Sequence, residues 1–407
     1  MSVYALKGRV IDGVAGEAVE QGTVLVRDGK IESVGPREQI SIPPEAEVIE
    51  VNDGTILPGF IDCHTHFTGG FGGNIYTTSH HELILQAAHG VGILLDAGFT
   101  GARDMSMFGP YLAKSIDKGF TRGPRIMPGG RLLSVTAGHG DMDTNFSVEH
   151  CQRQNPITLL VDGVDECLKG TRSQFRIGAK FIKISATGGV SSLADGLDDV
   201  QFSFEEVKAI VEEARRHGTY VAAHCTGTAG TIQALEAGVT SIEHGVFLDE
   251  RCIELMVKND ATLVTTLSVS LGIPNMKNFL PPHVYEKGVQ CAEANLRSIE
   301  MARKAGIRIA LGTDFSNSKN SPYAENGKEF VSMVKAGLTP MEAIWAGTRN
   351  AAHLMKLESE IGTLEAGKLA DIVIVEGNPL ADISVLAHKD SVKVVLKDGV
   401  VEKNALA

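Results

Sequence analysis

Apolar and polar positions alternate with a period of two over the first fifty or so residues, the pattern of a half-buried strand. Val24 to Arg27 and Ile31 to Val34 flank Asp28-Gly29, a dipeptide suited to a tight turn with positive φ. The same pattern returns at the far end, where Val392 to Lys397 and Val400 to Val401 flank Asp398-Gly399, after the apolar run Ile372 to Val375. Two β-rich ends around a different middle predict a small β-sandwich formed by both chain ends, residues 1–57 plus 360–407, clamped to a central domain of residues 58–359.

That middle alternates short apolar runs with helical segments, as parallel strands with crossover helices do. The runs predict strands at Gly59–Asp62, Gly101–Arg103, Arg125–Pro128, Phe181–Ser185, Tyr220–Ala223, Ser241–Glu243, Thr262–Thr265 and Ile309–Gly312. Eight such strands predict an α/β fold, a (β/α)8 TIM-like barrel. Ser203-Phe-Glu-Glu206 reads as a capping box at a helix start, and Thr339-Pro340-Met-Glu342 adds proline at the first helical position. An open doubly wound sheet is the rival, but it calls for a glycine-rich phosphate loop after the first strand, and none has the required pattern.

Length and composition agree with this picture. A barrel of this kind uses roughly 250 residues and grows by insertion, which leaves room for a second, small domain in 407 residues. The net charge of −12 argues against a nucleic-acid surface and for a small-molecule substrate. Cys63, Cys151, Cys167, Cys225, Cys252 and Cys291 are irregularly spaced with no CxxC pair and read as reduced thiols. The N-terminus enters strand-like sequence at once, and no apolar run approaches the ~20 residues of a membrane span. A cytoplasmic protein is expected, with no membrane partner, and as a homo-oligomer.

The active site of a parallel barrel lies at the carboxyl ends of its strands, so polar residues that end apolar runs are informative. The first strand ends in Asp62-Cys63-His64-Thr65-His66, the fourth carries Lys183, the fifth ends in His224, the sixth in His244 and the eighth in Asp314. Any one histidine at a strand end is more often structural than a ligand. Four of them with an aspartate, converging on one small volume, are hard to explain without a metal. His64 and His66 have the strand period, which sends both imidazoles to one face. Neutral imidazole with carboxylate suits Zn²⁺ first, with Mn²⁺, Fe²⁺ and Co²⁺ open. Lys183 either pairs with an acid or, its pKa lowered by desolvation and metal charge, takes up CO2 as a carbamate that bridges two metals.

The motifs PGFIDCHTHF, FIKISATGGV, AAHCTG, SIEHG and LGTDFS, with LEAGKLADIVIVEGNPL near the C-terminus, resemble those of the amidohydrolase superfamily over nearly the whole chain. Within it the likeness is to the binuclear branch of prolidase and arginine-carboxypeptidase-type dipeptidases, among the imidazolonepropionase-related amidohydrolases. The resemblance implies that His64, His66 and Asp314 hold one divalent ion, that His224 and His244 hold another, and that carboxylated Lys183 bridges them. It implies that two such ions share a hydroxide, and that Asp314 acts as general base and then general acid. It also implies that His139, in Ala-Gly-His-Gly-Asp after the third strand, donates a hydrogen bond to the carbonyl oxygen.

The expected reaction is hydrolysis of an amide in a dipeptide or N-acyl amino acid with a free C-terminal carboxylate. Long loops at Ser134 to Asn155 and Val269 to Tyr285 are expected to roof a small site, and Gly188 and Gly189 to offer backbone N–H donors to that carboxylate. Cyclic amide hydrolysis uses the same two-metal kit. A deaminase is disfavoured because His224-Cys-Thr-Gly-Thr-Ala-Gly230 holds no glutamate, and a tyrosine soon after His224, frequent in prolidase-like members, is also missing. A catalytically dead scaffold is disfavoured by the full ligand set. Arg103-Asp104 reads as a structural ion pair, and His80, His81 and His283 as surface or lid residues.

Overall fold

The structure, a computed structural model, describes residues 2–69, 73–318 and 321–406. The N-terminal strands are β1 (Val3–Val10), β2 (Val19–Arg27), β3 (Lys30–Pro36) and β4 (Glu47–Pro58), and the C-terminal ones are β15 (Ile372–Glu376), β16 (Val392–Lys397) and β17 (Val400–Asn404). All seven join one sheet in the order β17-β16-β15-β4-β1-β2-β3, the two chain ends meeting where β15 runs antiparallel to β4. Leu6, Val24, Val26 and Ile56 share an apolar cluster with Ile372, Ile374, Val394 and Leu396, so one face of the sheet is packed jointly by both ends. Asp28 and Gly29 turn with φ of 50° and 83°, and Asp398 and Gly399 with 52° and 71°, the left-handed pair that a two-residue hairpin requires.

Between the ends lie β5 (Phe60–Thr65), β6 (Phe99–Asp104), β7 (Arg125–Pro128), β8 (Leu132–Ser134), β9 (Thr158–Leu160), β10 (Ile182–Ser185), β11 (Val221–Cys225), β12 (Ser241–His244), β13 (Thr262–Val264) and β14 (Arg308–Ala310). They form two parallel sheets, β5-β6-β7 and β14-β13-β12-β11-β10-β8-β9. Cys63 N donates to Leu311 O (2.8 Å) and Lys180 N to Pro128 O (2.7 Å), tying the smaller sheet to both ends of the run from residue 180 to 311. Helices pack outside by amphipathic spacing: Phe204–Arg216 buries Val207, Ile210, Val211 and Ala214, and both expected capping boxes, at Ser203 and Thr339, form.

The third strand differs from expectation. The chain continues past Pro128 into β8 after a break at Gly129-Gly130, where Gly130 has φ +71° and a side chain on Gly129 would meet the Phe181 ring at 2.7 Å. The two roofing segments are also less loop-like than expected, since they contain the helices Val148–Gln154 and Leu267–Gly272 and the start of the long helix Pro282–Lys304. All six cysteines are buried and unpaired. Among the described residues no helix is long and apolar enough to cross a membrane.

Candidate metal centre

Strand β5 is buried along its whole length, so its polar residues must be satisfied from within. Asp62 accepts from His64 N (3.0 Å), Thr313 N (3.1 Å), Thr313 Oγ1 (2.7 Å) and Asn326 Nδ2 (2.7 Å). One carboxylate thereby ties the end of β5 to the segment that carries Asp314, and Asp314 N in turn donates to His64 O (2.8 Å). His66 is held by Tyr323, whose hydroxyl donates to its carbonyl (2.8 Å). The outcome is a compact triad: His64 Nε2 and His66 Nε2 lie 3.5 and 3.0 Å from Asp314 Oδ1, and the three ligand atoms fall within 4.8 Å of one another. His244 adjoins it, its ring 4.8 Å from His64 and 4.5 Å from His224. His244 and Asp314 adopt φ of 69° and 61°, a left-handed conformation that costs a residue with a side chain about 1–3 kcal/mol.

The outer hydrogen bonds choose the tautomers. His64 Nδ1 lies 2.8 Å from Glu243 Oε2, and His66 Nδ1 lies 3.2 Å from Met105 O. A proton on each Nδ1 leaves the Nε2 lone pairs facing the triad. His224 donates from Nε2 to Gly188 O (3.2 Å), which frees its Nδ1, and His244 Nδ1 sits 2.7 Å from Thr266 Oγ1. Burial, with the neighbouring Lys183 and other imidazoles, holds His64, His224 and His244 well below the usual histidine range, so all three are neutral donors. Burial raises the Asp314 carboxyl, but His64, His66 and Lys183 together outweigh it and bring it to about 2.

Lys183 is fully buried and lines the same cavity. Among the described residues no carboxylate pairs with it at ion-pair distance, and burial, partly offset by Glu243 and Asp314, lowers its ammonium to about 8. A buried amine with no ion-pair partner beside four imidazoles and an acid is an incomplete arrangement. The donor chemistry of neutral imidazoles and a carboxylate fits divalent ions. His139 stacks on His224 at 4.2 Å, and burial lowers it to about 4.

These side chains line a cavity of about 320 Å³ together with Leu132, Met142, Ile157, Val269, Ile273, Met276 and Leu280. Among the described residues Lys183 is its only cationic lining residue.

The sequence model of the Amidohydrolase family matches residues 55–401. The chain belongs to this family. It is 34% identical to the ochratoxinase of Aspergillus niger over 422 aligned positions, spanning 98% of this chain and 85% of that protein. A prolidase complexed with N-methylphosphonate-L-proline is similar in structure, with a TM-score of 0.92 at 31% identity over 99% of this chain and 100% of that one. A Xaa-Pro dipeptidase with methionine bound in its active site gives 0.88 at 32% identity over 98% and 99%.

In this amidohydrolase two readings of the sequence need correction. Gly188 N already donates to Asp199 O (2.9 Å) and Gly189 N to Asp195 Oδ2 (3.3 Å), so neither N–H is free for a substrate carboxylate. The pair serves packing: a side chain on Gly189 would collide with the His139 ring. Arg103 and Asp104 do not pair with each other either. Neighbours in a strand face opposite ways. Asp104 accepts from Phe67 N (2.7 Å) and Ser106 Oγ (2.9 Å), while Arg103, fully buried, reaches Glu243 Oε1 (2.6 Å), Cys63 O (2.6 Å) and Ser241 Oγ (3.0 Å). Arg103–Glu243–His64 is thus a buried chain behind the triad that the sequence reading missed. A charged residue inside the apolar run Ser241–Glu243 was the available signal, because a buried charge demands a partner. His80 and His81 lie outside the cavity, bonded to Gln154 O and Ser79.

Proposed function

We propose that this amidohydrolase cleaves the amide bond of a small peptide or N-acyl amino acid with apolar groups beside the bond and a free C-terminal carboxylate. The carrying observation is that the imidazoles, Asp314 and Lys183, which has no ion-pair partner among the described residues, line one small and largely apolar cavity. In this reading His64, His66 and Asp314 would hold one divalent ion and His224 and His244 a second, zinc being the first choice, with Lys183 bridging as its carbamate. When bound, such a pair supplies Lewis acidity and lowers the pKa of water. Asp314 takes a proton from the attacking water as its oxygen adds to the carbonyl carbon, and passes it to the amine nitrogen as the C–N bond breaks. Glu243 keeps the His64 tautomer fixed throughout. The apolar walls exclude bulk water and hold the groups on either side of the bond.

Polar groups that line the cavity and could turn toward a substrate carboxylate include the amide of Asn295 and the hydroxyls of Ser191, Ser268, Ser316 and Ser318, the last three hydroxyls exchanging their present serine partners for it. The same reading takes residues 58–359 as a closed (β/α)8 barrel and residues 1–57 with 360–407 as a sandwich, in a cytoplasmic homo-oligomer that binds neither nucleic acid nor membrane. The test compares kcat/KM for an N-acyl amino acid with an apolar side chain against its C-terminal amide, using zinc-loaded enzyme. Donors left unpaired should slow the amide by ~10²-fold or more. Equal rates would overturn the carboxylate requirement and favour cyclic or neutral amides, the second use of the same residues.

A further inference from the structure

Between Thr187 and Val200, which pair as an antiparallel bridge, the chain forms a loop with no helix or strand of its own. The stem of the loop is held by backbone: Gly188 N donates to Asp199 O (2.9 Å) and Gln201 N to Ala186 O (3.2 Å). Its interior is held by a side chain from elsewhere. Lys287 Nζ donates to the carbonyls of Gly189 (3.1 Å), Ser192 (2.9 Å) and Asp195 (2.5 Å), and lies 3.2 Å from Asp195 Oδ1. The lysine comes from the helix Pro282–Lys304, where Lys287, Cys291 and Ala294 are spaced by four and three and so share one face. Cys291 and Ala294 pack against Val190 and Leu197 of the loop. A lysine on that apolar face, only 16% exposed, is tolerated because the loop surrounds its ammonium with oxygen. The loop in turn is what His139 rests on. Gly189 stands so close to the His139 ring that an added Cβ would lie 2.4 Å from Cε1. Ser192 Oγ lies 2.8 Å from His139 Nδ1, and Asp195 accepts from Gln201 Nε2 (2.9 Å), orienting the amide whose Oε1 accepts from His139 N (3.0 Å). Gly189, Ser192 and Asp195, which touch or orient His139, are the three residues whose carbonyls Lys287 gathers.

We propose that Lys287 is a positioning residue of the hydrolytic site: it holds the backbone of residues 189–195 as the seat of the His139 ring, which lines the substrate cavity. The helix Pro282–Lys304 supplies Val284, Cys291 and Asn295 to the same cavity, so one lysine ties the helical wall to the wall that carries His139. Gly188, whose carbonyl serves His224, is held by the stem and not by Lys287, so the metal centre stands apart from this role. The kinetic consequence rests on the amide-hydrolase reading, whereas the dependence of the loop on Lys287 rests on the hydrogen bonds alone.

The experiment crosses Lys287→Met with His139→Ala in zinc-loaded enzyme. Alone, Lys287→Met should lower kcat by about 10–100-fold, the cost of misplacing a group beside the reacting bond, with metal content unchanged. In the His139→Ala background the same change should cost less than about threefold, because residues that act as one unit are not additive, whereas a general loosening of the fold would cost the same in both backgrounds. Should Lys287→Met not fold, Lys287→Gln, shorter but still a donor, carries the same cycle with a smaller loss. Hydrogen exchange followed by mass spectrometry should show residues 189–195 exchanging at least about tenfold faster in the Lys287 variant while the helix Pro282–Lys304 stays protected. Equal losses in both backgrounds, a His139→Ala enzyme as fast as wild type, or unchanged exchange over 189–195 would overturn the proposal. If wild type hydrolyses no amide, the function reading fails, and the exchange still decides whether Lys287 holds the loop.

Discussion

Replacing Arg103 by methionine removes the cation of a pair in which both side chains are completely buried, 0% exposed on each side. Glu243 keeps Ser241 Oγ (2.6 Å) and His64 Nδ1 (2.8 Å) as donors but loses its only charged partner, at 2.6 Å. Stranding one member of a buried pair costs about 3–5 kcal/mol, so Arg103→Met should fall in that range. With roughly 2.1 cal/mol/K of unfolding entropy per residue, a chain of 407 residues has about 0.9 kcal/mol per degree, and the Tm should drop by roughly 4–6 °C. Glu243→Gln removes the other charge. Combined with Arg103→Met it leaves no stranded ion, so the double variant should be less damaged than the sum of the singles by about 1–3 kcal/mol. Calorimetry on the four proteins measures this cycle, and metal titration adds a functional arm, since losing the carboxylate behind His64 should weaken metal binding by about 10–100-fold in Glu243→Gln. Strictly additive singles with a Tm within a degree of wild type would refute the buried-pair account.

Lys183→Ala should lose most bound metal and activity, with short carboxylic acids and bicarbonate restoring part of both; exposed Lys180→Ala serves as a control that changes neither, and full metal content in Lys183→Ala would remove the bridging role. Asp314→Asn should lower kcat by ~10²–10⁴-fold with the fold intact, the range for a lost general acid–base group, and a near-normal kcat would take Asp314 out of the proton transfers. Burial raises the Glu329 carboxyl from 4.5 to about 7 although Leu267 N, Ser268 N and neighbouring hydroxyls oppose it. The folded state therefore holds a proton that the unfolded state has released, and this contribution to stability should be lost as pH rises from 4.5 to about 7. Denaturant titrations of wild type and Glu329→Gln across that window should differ in slope, and parallel curves would count against it.

Local patterns carried much of this protein. Alternation, the two Asp-Gly turns and the capping boxes depend on neighbours within a few residues, and they placed the terminal hairpins, Ser203, Thr339 and the strand ends. That His64, His66, Lys183, His224, His244 and Asp314 would border one cavity was legible, because a polar residue at the end of an apolar run in a parallel α/β fold has few places to go. The split of the third strand was not, since the close approach of Phe181 to Gly129 and of Gln174 to Gly130 comes from residues about fifty positions away.

Who faces whom across the sheet was decided by the tertiary structure alone. Arg103 and Glu243 are 140 positions apart, and Ser192 and His139 are 53 apart. Their contacts depend on strand register and on how one loop closes over another, information that no window of sequence holds. The glycines after Lys183 show the same limit. Their sequence announces a close approach, but only the folded chain shows that what approaches is the His139 ring, and that Asp195 and Asp199 have already taken the N–H groups. Chain chemistry fixes which groups are available, and packing fixes which of them are left free to act.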